Sequence, residues 1–103
     1  MSRNRGTDRN GGPFSEATKQ SVWQKAQITT DYASSVRRLD TCGAPIDWAQ
    51  YGNTNSKAGW EIDHIKPVSK DGGDELSNLQ PLQWENNRHK ADEYPNWSCY
   101  KKN

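Results

Sequence analysis

The chain has 103 residues, only 30% of them hydrophobic, with a mean hydropathy of -1.23, so it is read as one small domain with a thin apolar core. Five Trp, four Tyr and one Phe are expected to supplement that core, because each ring buries more area than Ala or Val. A formal net charge of +1 is not the basic excess of a typical nucleic-acid-binding domain, and no run approaches the ~20 apolar residues of a membrane span. Charge is unevenly placed: residues 1–40 carry seven Lys+Arg against four Asp+Glu, and residues 41–103 seven against nine. A polar start without a signal-peptide core reads as a soluble cytoplasmic protein, where Cys42 and Cys99 are expected as free thiols.

In chain order, residues 1–12 combine Arg, Asn, Asp and Gly without apolar periodicity and read as a flexible tail. Its three arginines are candidates for a phosphate backbone or are merely solvated. "PFSEATKQSVWQKAQ" predicts a helix capped by Ser15, with Glu16 in the first turn and Thr18, Val22 and Ala26 at helical spacing. A second short helix is expected over 32–39, and a short apolar segment over Ala44–Trp48. "GWEIDHI" alternates as a strand does, with Trp60, Ile62 and His64 on one side and Glu61 and Asp63 on the other. "KPVSKDGGDELSN" is a loop turning at Gly72-Gly73, and "LQPLQ" is a second strand whose Pro81 implies an edge or an irregular ladder. "WENNRHKADEY" predicts a helix whose docked face is Trp84, Asn87, Arg88 and Ala91, with His89 turned to solvent.

Strand, loop, strand and helix, with "DH" closing the first strand, resemble the ββα-metal unit of the HNH endonuclease family over "EIDHIKPVSKDGGDELSNLQPLQWENNRHKAD", residues 61–92. The matching elements are Asp63-His64, Pro67, the glycine pair, Asn78-Leu79-Gln80 and the Asn87-Arg88 and Lys90 helix. The resemblance implies an α+β fold: a 13–103 domain after the 1–12 tail, a ββα core at about 59–93, and flanking N-terminal helices. It is similar to the HNN variant of the family, with His64 first, Asn78 central and Asn87 in the third position.

That family's mechanism implies a DNA phosphodiesterase in which His64 is the general base and Asp63 and Asn87 hold one divalent ion. Oxygen donors suit Mg²⁺ or Mn²⁺, and the products would be a 5′-phosphate and a 3′-hydroxyl. Asn78 would tie the loop and help orient His64, or act as a turn cap; the two roles coexist. Because neighbours in a strand face opposite ways, a break or bulge is expected at 63–64. Arg88 and Lys90 are candidate phosphate contacts, Lys90 standing equally well for a solvated face. Glu61 is read as an exposed strand residue in preference to a support for the metal.

The four positions of the zinc knuckle found in many relatives fall on Leu39, Cys42, Gln83 and Asn86, so structural Zn²⁺ is not expected, and the aromatic residues are expected to replace its stabilisation. Such proteins are bacterial or phage-encoded, with DNA as partner and targeting supplied by a homodimer, a second domain or another protein. The competing reading is a non-catalytic nucleic-acid-binding module of the same fold; a delivered nuclease toxin would share the site but need an immunity partner.

Overall fold

The computed structural model describes residues 4–102, so the first three residues of the expected tail and the last residue of the expected domain lie outside it. Helix α1 (Glu16–Trp23) starts where the sequence places it: Ser15 accepts a hydrogen bond from the Thr18 backbone N–H at 3.1 Å, and Glu16 sits in the positive first turn. Val22, Trp23 and Ala26 point into the core. The helix is a buttress against the second half of the chain, and Lys25 beyond its end donates to the carbonyls of Leu76 and Leu79.

Three short strands follow, β1 (Gln27–Ile28), β2 (Arg37–Leu39) and β3 (Pro45–Asp47), paired antiparallel in that order. The second helix expected over 32–39 does not form, so α1 is the one N-terminal helix described. Tertiary pairing overrides local propensity here. Arg37 lies opposite Asp47 across the ladder and grips it through Nε at 2.6 Å and Nη2 at 3.1 Å. Arg38 is buried, its guanidinium donating to the carbonyls of Ser34, Gln24 and Ala26. A helix would scatter both arginines.

Strands β4 (Trp60–His64) and β5 (Leu79–Gln83) form a separate two-stranded antiparallel sheet. Both are edges, the position in which Pro81 is tolerated. The register runs from Trp60↔Gln83 to His64↔Leu79 without an inserted residue, so the expected bulge at 63–64 is absent. The strand keeps its alternation: Trp60 and Ile62 enter the core with Trp23, Ile46 and Leu79, while Glu61 and Asp63 bond to the closing helix. Rings of Trp23, Trp48 and Tyr51 surround Trp60 at 5.2, 6.0 and 4.8 Å.

Helix α2 (Trp84–Lys90) follows β5 directly, the Gln83 side-chain oxygen accepting from Glu85 and Asn86 backbone N–H groups at 2.8 and 3.2 Å. The turn before β4 must pass close by, since a Cβ on Gly59 would stand 1.9 Å from the Asn53 carbonyl oxygen. The docked face of α2 differs from the expected one. Asn86, Asn87 and Lys90 are buried, Trp84 is half-buried, and Arg88 and Ala91 are exposed. The helix docks by polar bonds because the strand face beneath it carries two carboxylates.

Where the family resemblance would put a zinc knuckle, other bonds hold the chain together. Cys42 and Cys99 form a disulfide with Cα atoms 5.7 Å apart, which corrects the free-thiol expectation. Beside it Asp40, fully buried, accepts four hydrogen bonds: Oδ1 from the Cys42 and Ala44 backbone N–H groups, Oδ2 from that of Gln83 and the Asn86 side-chain amide, all between 2.9 and 3.0 Å. Asn86 also bonds the backbone of Tyr100 and Lys101, fastening the C-terminal segment. The stabilisation expected of the aromatic rings at this place therefore comes from a carboxylate, an amide and a disulfide.

Candidate active site

The end of β4 brings the sequence-predicted residues around one cavity of about 340 Å³, lined by Asp63, His64 and Asn87 with Ile62, Pro67, Ala91, Asp92, Arg5 and Gly6. Asp63 Oδ2 accepts from Gln80 Nε2 at 2.9 Å, its partner across the ladder, and Oδ1 faces Lys90 Nζ at 3.3 Å. Burial pushes the Asp63 carboxyl above the usual carboxylate range, against the opposing pull of the Gln80 hydrogen bond and the Lys90 charge. A carboxylate kept charged in this setting gains from a further cation.

His64 is 3% exposed and its Nε2 lies 2.7 Å from Asp74 Oδ1. A carboxylate only accepts, so Nε2 carries the proton of the neutral ring and Nδ1 holds the free electron pair. Phe14 packs on the ring at 5.9 Å between centroids. Asp74 is not visible as a partner in the sequence, since it stands ten positions after His64 across a loop and no spacing rule joins them.

Asn78 staples that loop. Its Oδ1 accepts from Lys66 N at 2.8 Å, and its Nδ2 donates to Lys66 O and Gly73 O at 3.1 and 2.9 Å. Its carbonyl accepts from Ile65 N at 2.8 Å. These bonds fix the residues beside His64 and the one before Asp74 without touching the imidazole. Gly72 is required by the same closure, because a Cβ there would fall 1.7 Å from the Lys66 carbonyl oxygen.

Glu61 is buried, not exposed as the sequence suggested, and its Oε1 accepts from Asn87 Nδ2 at 2.8 Å. That bond settles the amide's orientation: the nitrogen faces Glu61, and no donor among the described residues reaches Oδ1. The sequence does place Glu61 on the same strand face as Asp63, but its burial depends on α2 lying there. Asp63 and Asn87 thus offer a carboxylate and a carbonyl oxygen to the cavity, a donor pair that fits a hard divalent cation keeping most of its waters. No cluster of three or more His, Cys, Asp or Glu among the described residues forms an alternative metal centre.

The basic residues divide. Lys90 is 1% exposed, its ammonium held by Asp63 Oδ1 and, at 3.1 Å, by the His64 carbonyl, so the solvated-face reading is excluded. Arg88 does not share the docked face; it is exposed, with its guanidinium 4.9 Å from the Trp84 ring. His89 faces away as expected, its ring against Tyr100 at 5.6 Å.

No helix among the described residues is long and apolar enough to cross a membrane. Searches of curated proteins and of solved structures return no match. The family model described as HNH endonuclease matches residues 40–93, just over half of the chain, spanning β3 to α2 and every residue of the site except Arg5 and Gly6, and on that match the protein belongs to the HNH endonuclease family.

Proposed function

We propose that the protein is a metal-dependent endonuclease that hydrolyses DNA phosphodiester bonds, with His64 as general base. The observation that carries this reading is the shared cavity of Asp63, His64 and Asn87, in which the imidazole is held at Nε2 by Asp74 and its other nitrogen is free to take a proton. Membership of a family of nucleases sets the reaction class.

In this reading the His64 Nδ1 removes a proton from a water molecule as that water attacks phosphorus, and the bond to the 3′ oxygen breaks. The departing 3′ oxygen takes a proton from solvent, so the ends are a 5′-phosphate and a 3′-hydroxyl. Asp63 and Asn87 would hold the divalent ion, Mg²⁺ or Mn²⁺, which when bound would supply charge neutralisation for the reacting phosphate. Glu61 orients Asn87, and Lys90 keeps Asp63 and the His64 backbone in place instead of meeting phosphate. Asn78 holds the loop that carries Asp74. Arg88 stays as an exposed phosphate contact at the rim. One site addresses one strand, so nicking is the elementary act, and the modest net charge leaves targeting to a partner or a second copy.

Supercoiled plasmid incubated with a series of divalent ions tests the reading. Open circles are expected with Mg²⁺ or Mn²⁺ and not with EDTA, and His64→Ala should abolish them while keeping the circular dichroism of the parent. A His64→Ala protein that nicks as fast as the parent removes His64 as base. A parent that binds DNA but fails to cut with every ion in the series favours the non-catalytic module.

A further inference from the structure

The segment before α1 lies outside the residues matched to the family, yet it is fastened across the site. Gly6, with φ 73°, sits against Glu61, where an added Cβ would come 3.5 Å from the Glu61 Cβ. Two residues on, the Asp8 carboxylate accepts the Asn10 and Gly12 backbone N–H groups at 2.9 Å each, and Asp8 N donates to Gly12 O at 2.8 Å, closing a tight turn. From that turn Arg9 N donates to both oxygens of Asp74 at 3.1 and 3.3 Å, the same carboxylate that holds His64. The segment is anchored at Glu61 on one side and Asp74 on the other.

Arg5 lines the cavity beside Asp63, His64 and Asn87. Arg5 is exposed and its guanidinium has no hydrogen bond or ion pair among the described residues, and among the described lining residues it is the one permanent cation, against Asp63 and Asp92. A phosphodiester pushed against two carboxylates needs positive charge on the side that Asp63 and Asn87 do not serve. A guanidinium suits this better than an ammonium, because its fork can grip two oxygens of one phosphate.

We infer that Arg5 is a substrate-binding residue: the anchored N-terminal segment presents its guanidinium to a non-bridging oxygen of the phosphate at, or next to, the bond that is cut. The inference rests on the nuclease reading, and it makes a segment outside the family match part of the working site.

Binding of a fluorescent DNA duplex is measured by anisotropy at several salt concentrations with Mg²⁺, in the full-length His64→Ala protein with and without Arg5→Ala, Arg5→Lys or Lys57→Ala. Lys57 is an exposed cation before β4, at the end away from His64. Arg5→Ala is expected to weaken binding about five- to thirty-fold and to lower the salt slope by about one, the loss of one phosphate contact. Arg5→Lys should recover part of this, and Lys57→Ala should have little effect. In the otherwise unaltered protein, Arg5→Ala should slow plasmid nicking under subsaturating enzyme while leaving the melting temperature unchanged. Equal losses for Arg5→Ala and Lys57→Ala, or no loss for Arg5→Ala, overturn the inference. If the unaltered protein fails to cut with every ion in the series, the nuclease reading falls on its own, and the anisotropy series still decides whether Arg5 grips phosphate.

Discussion

Glu61 holds Asn87 by a 2.8 Å hydrogen bond between two buried side chains, and so decides which atom of the amide faces the cavity. Under the proposed function Asn87 is a metal ligand, and the bond then supports it in the way that tunes metal affinity without contacting the metal. Glu61→Ala should therefore weaken Mg²⁺ or Mn²⁺ binding about ten- to a hundred-fold, read by titration calorimetry, with the fold retained. Glu61→Gln keeps an accepting oxygen and should lose much less. If both variants lose affinity equally, the carboxylate acts through its charge and not by orienting Asn87.

Asp74 has the corresponding relationship with His64. Removing it in Asp74→Ala leaves the ring free to take the other tautomer or to turn, so the single-turnover nicking rate should fall about 10²-fold with little change in metal affinity. Asp74→Asn, which still offers an oxygen to the Nε2 proton, should fall less. A rate loss accompanied by an equal loss of metal binding would place Asp74 in the general integrity of the loop instead.

Much of this architecture was legible in the residues. The Ser15 cap and the β4 alternation are each local and show in residue type at fixed spacing, whereas the Asn78 staple, which reaches back twelve residues to Lys66, was legible only through the family resemblance. What was hidden depends on long-range partners. Arg37 gives no sign that Asp47 will draw it into a strand, and Glu61 looks like an exposed strand residue until α2 covers it. The buried face of α2 differs from the expected Trp84, Asn87, Arg88 and Ala91 because Asn86, Asn87 and Lys90 find polar partners on β4 and at Asp40, which residue type on the helix alone does not reveal. Cys42 and Cys99 are 57 residues apart in sequence, and no local spacing pairs them. The disulfide is at home in an oxidising setting, which sets it against the cytoplasmic expectation.

Asp40 should be among the costliest side chains to remove. Its two oxygens satisfy four donors, three of them in buried bonds, and truncation strands all of them. Asp40→Ala is expected to cost about 3–5 kcal/mol, a large share of the ~5–15 kcal/mol that holds a small domain folded. Urea unfolding followed by tryptophan fluorescence measures it. A midpoint close to that of the parent would mean that the Asn86 amide and the disulfide hold the region without the carboxylate.

The disulfide closes a loop with a sequence separation of 57 residues. Loop-closure entropy for that length corresponds to about 4 kcal/mol of stability, so reduction, or Cys42→Ser with Cys99→Ser, should lower the urea midpoint clearly. Neither cysteine lines the cavity of Asp63, His64 and Asn87, so under the proposed function the reduced protein should keep its nicking rate at temperatures where it remains folded. Unchanged stability on reduction would show that the thiols are not paired in solution.

Tyr51 gives a pH dependence of known sign. Its ring meets Trp60 edge-on at 4.8 Å, and burial pushes the phenol pKa up, with the negative charges of Glu61 and Glu16 adding to the shift. The unfolded chain loses this proton near pH ~10, the folded one only at higher pH. Above ~10 the folded state therefore binds more protons than the unfolded state, and stability falls as pH rises through the folded pKa, while the contribution is whole below ~10. Tyr51→Phe keeps the ring and removes the proton. Melting temperatures measured from pH 8 to strongly alkaline solution should drop more steeply for the parent than for Tyr51→Phe, with the curves parallel at the lower end. Curves that stay parallel throughout would mean that the phenol reaches water in the folded protein.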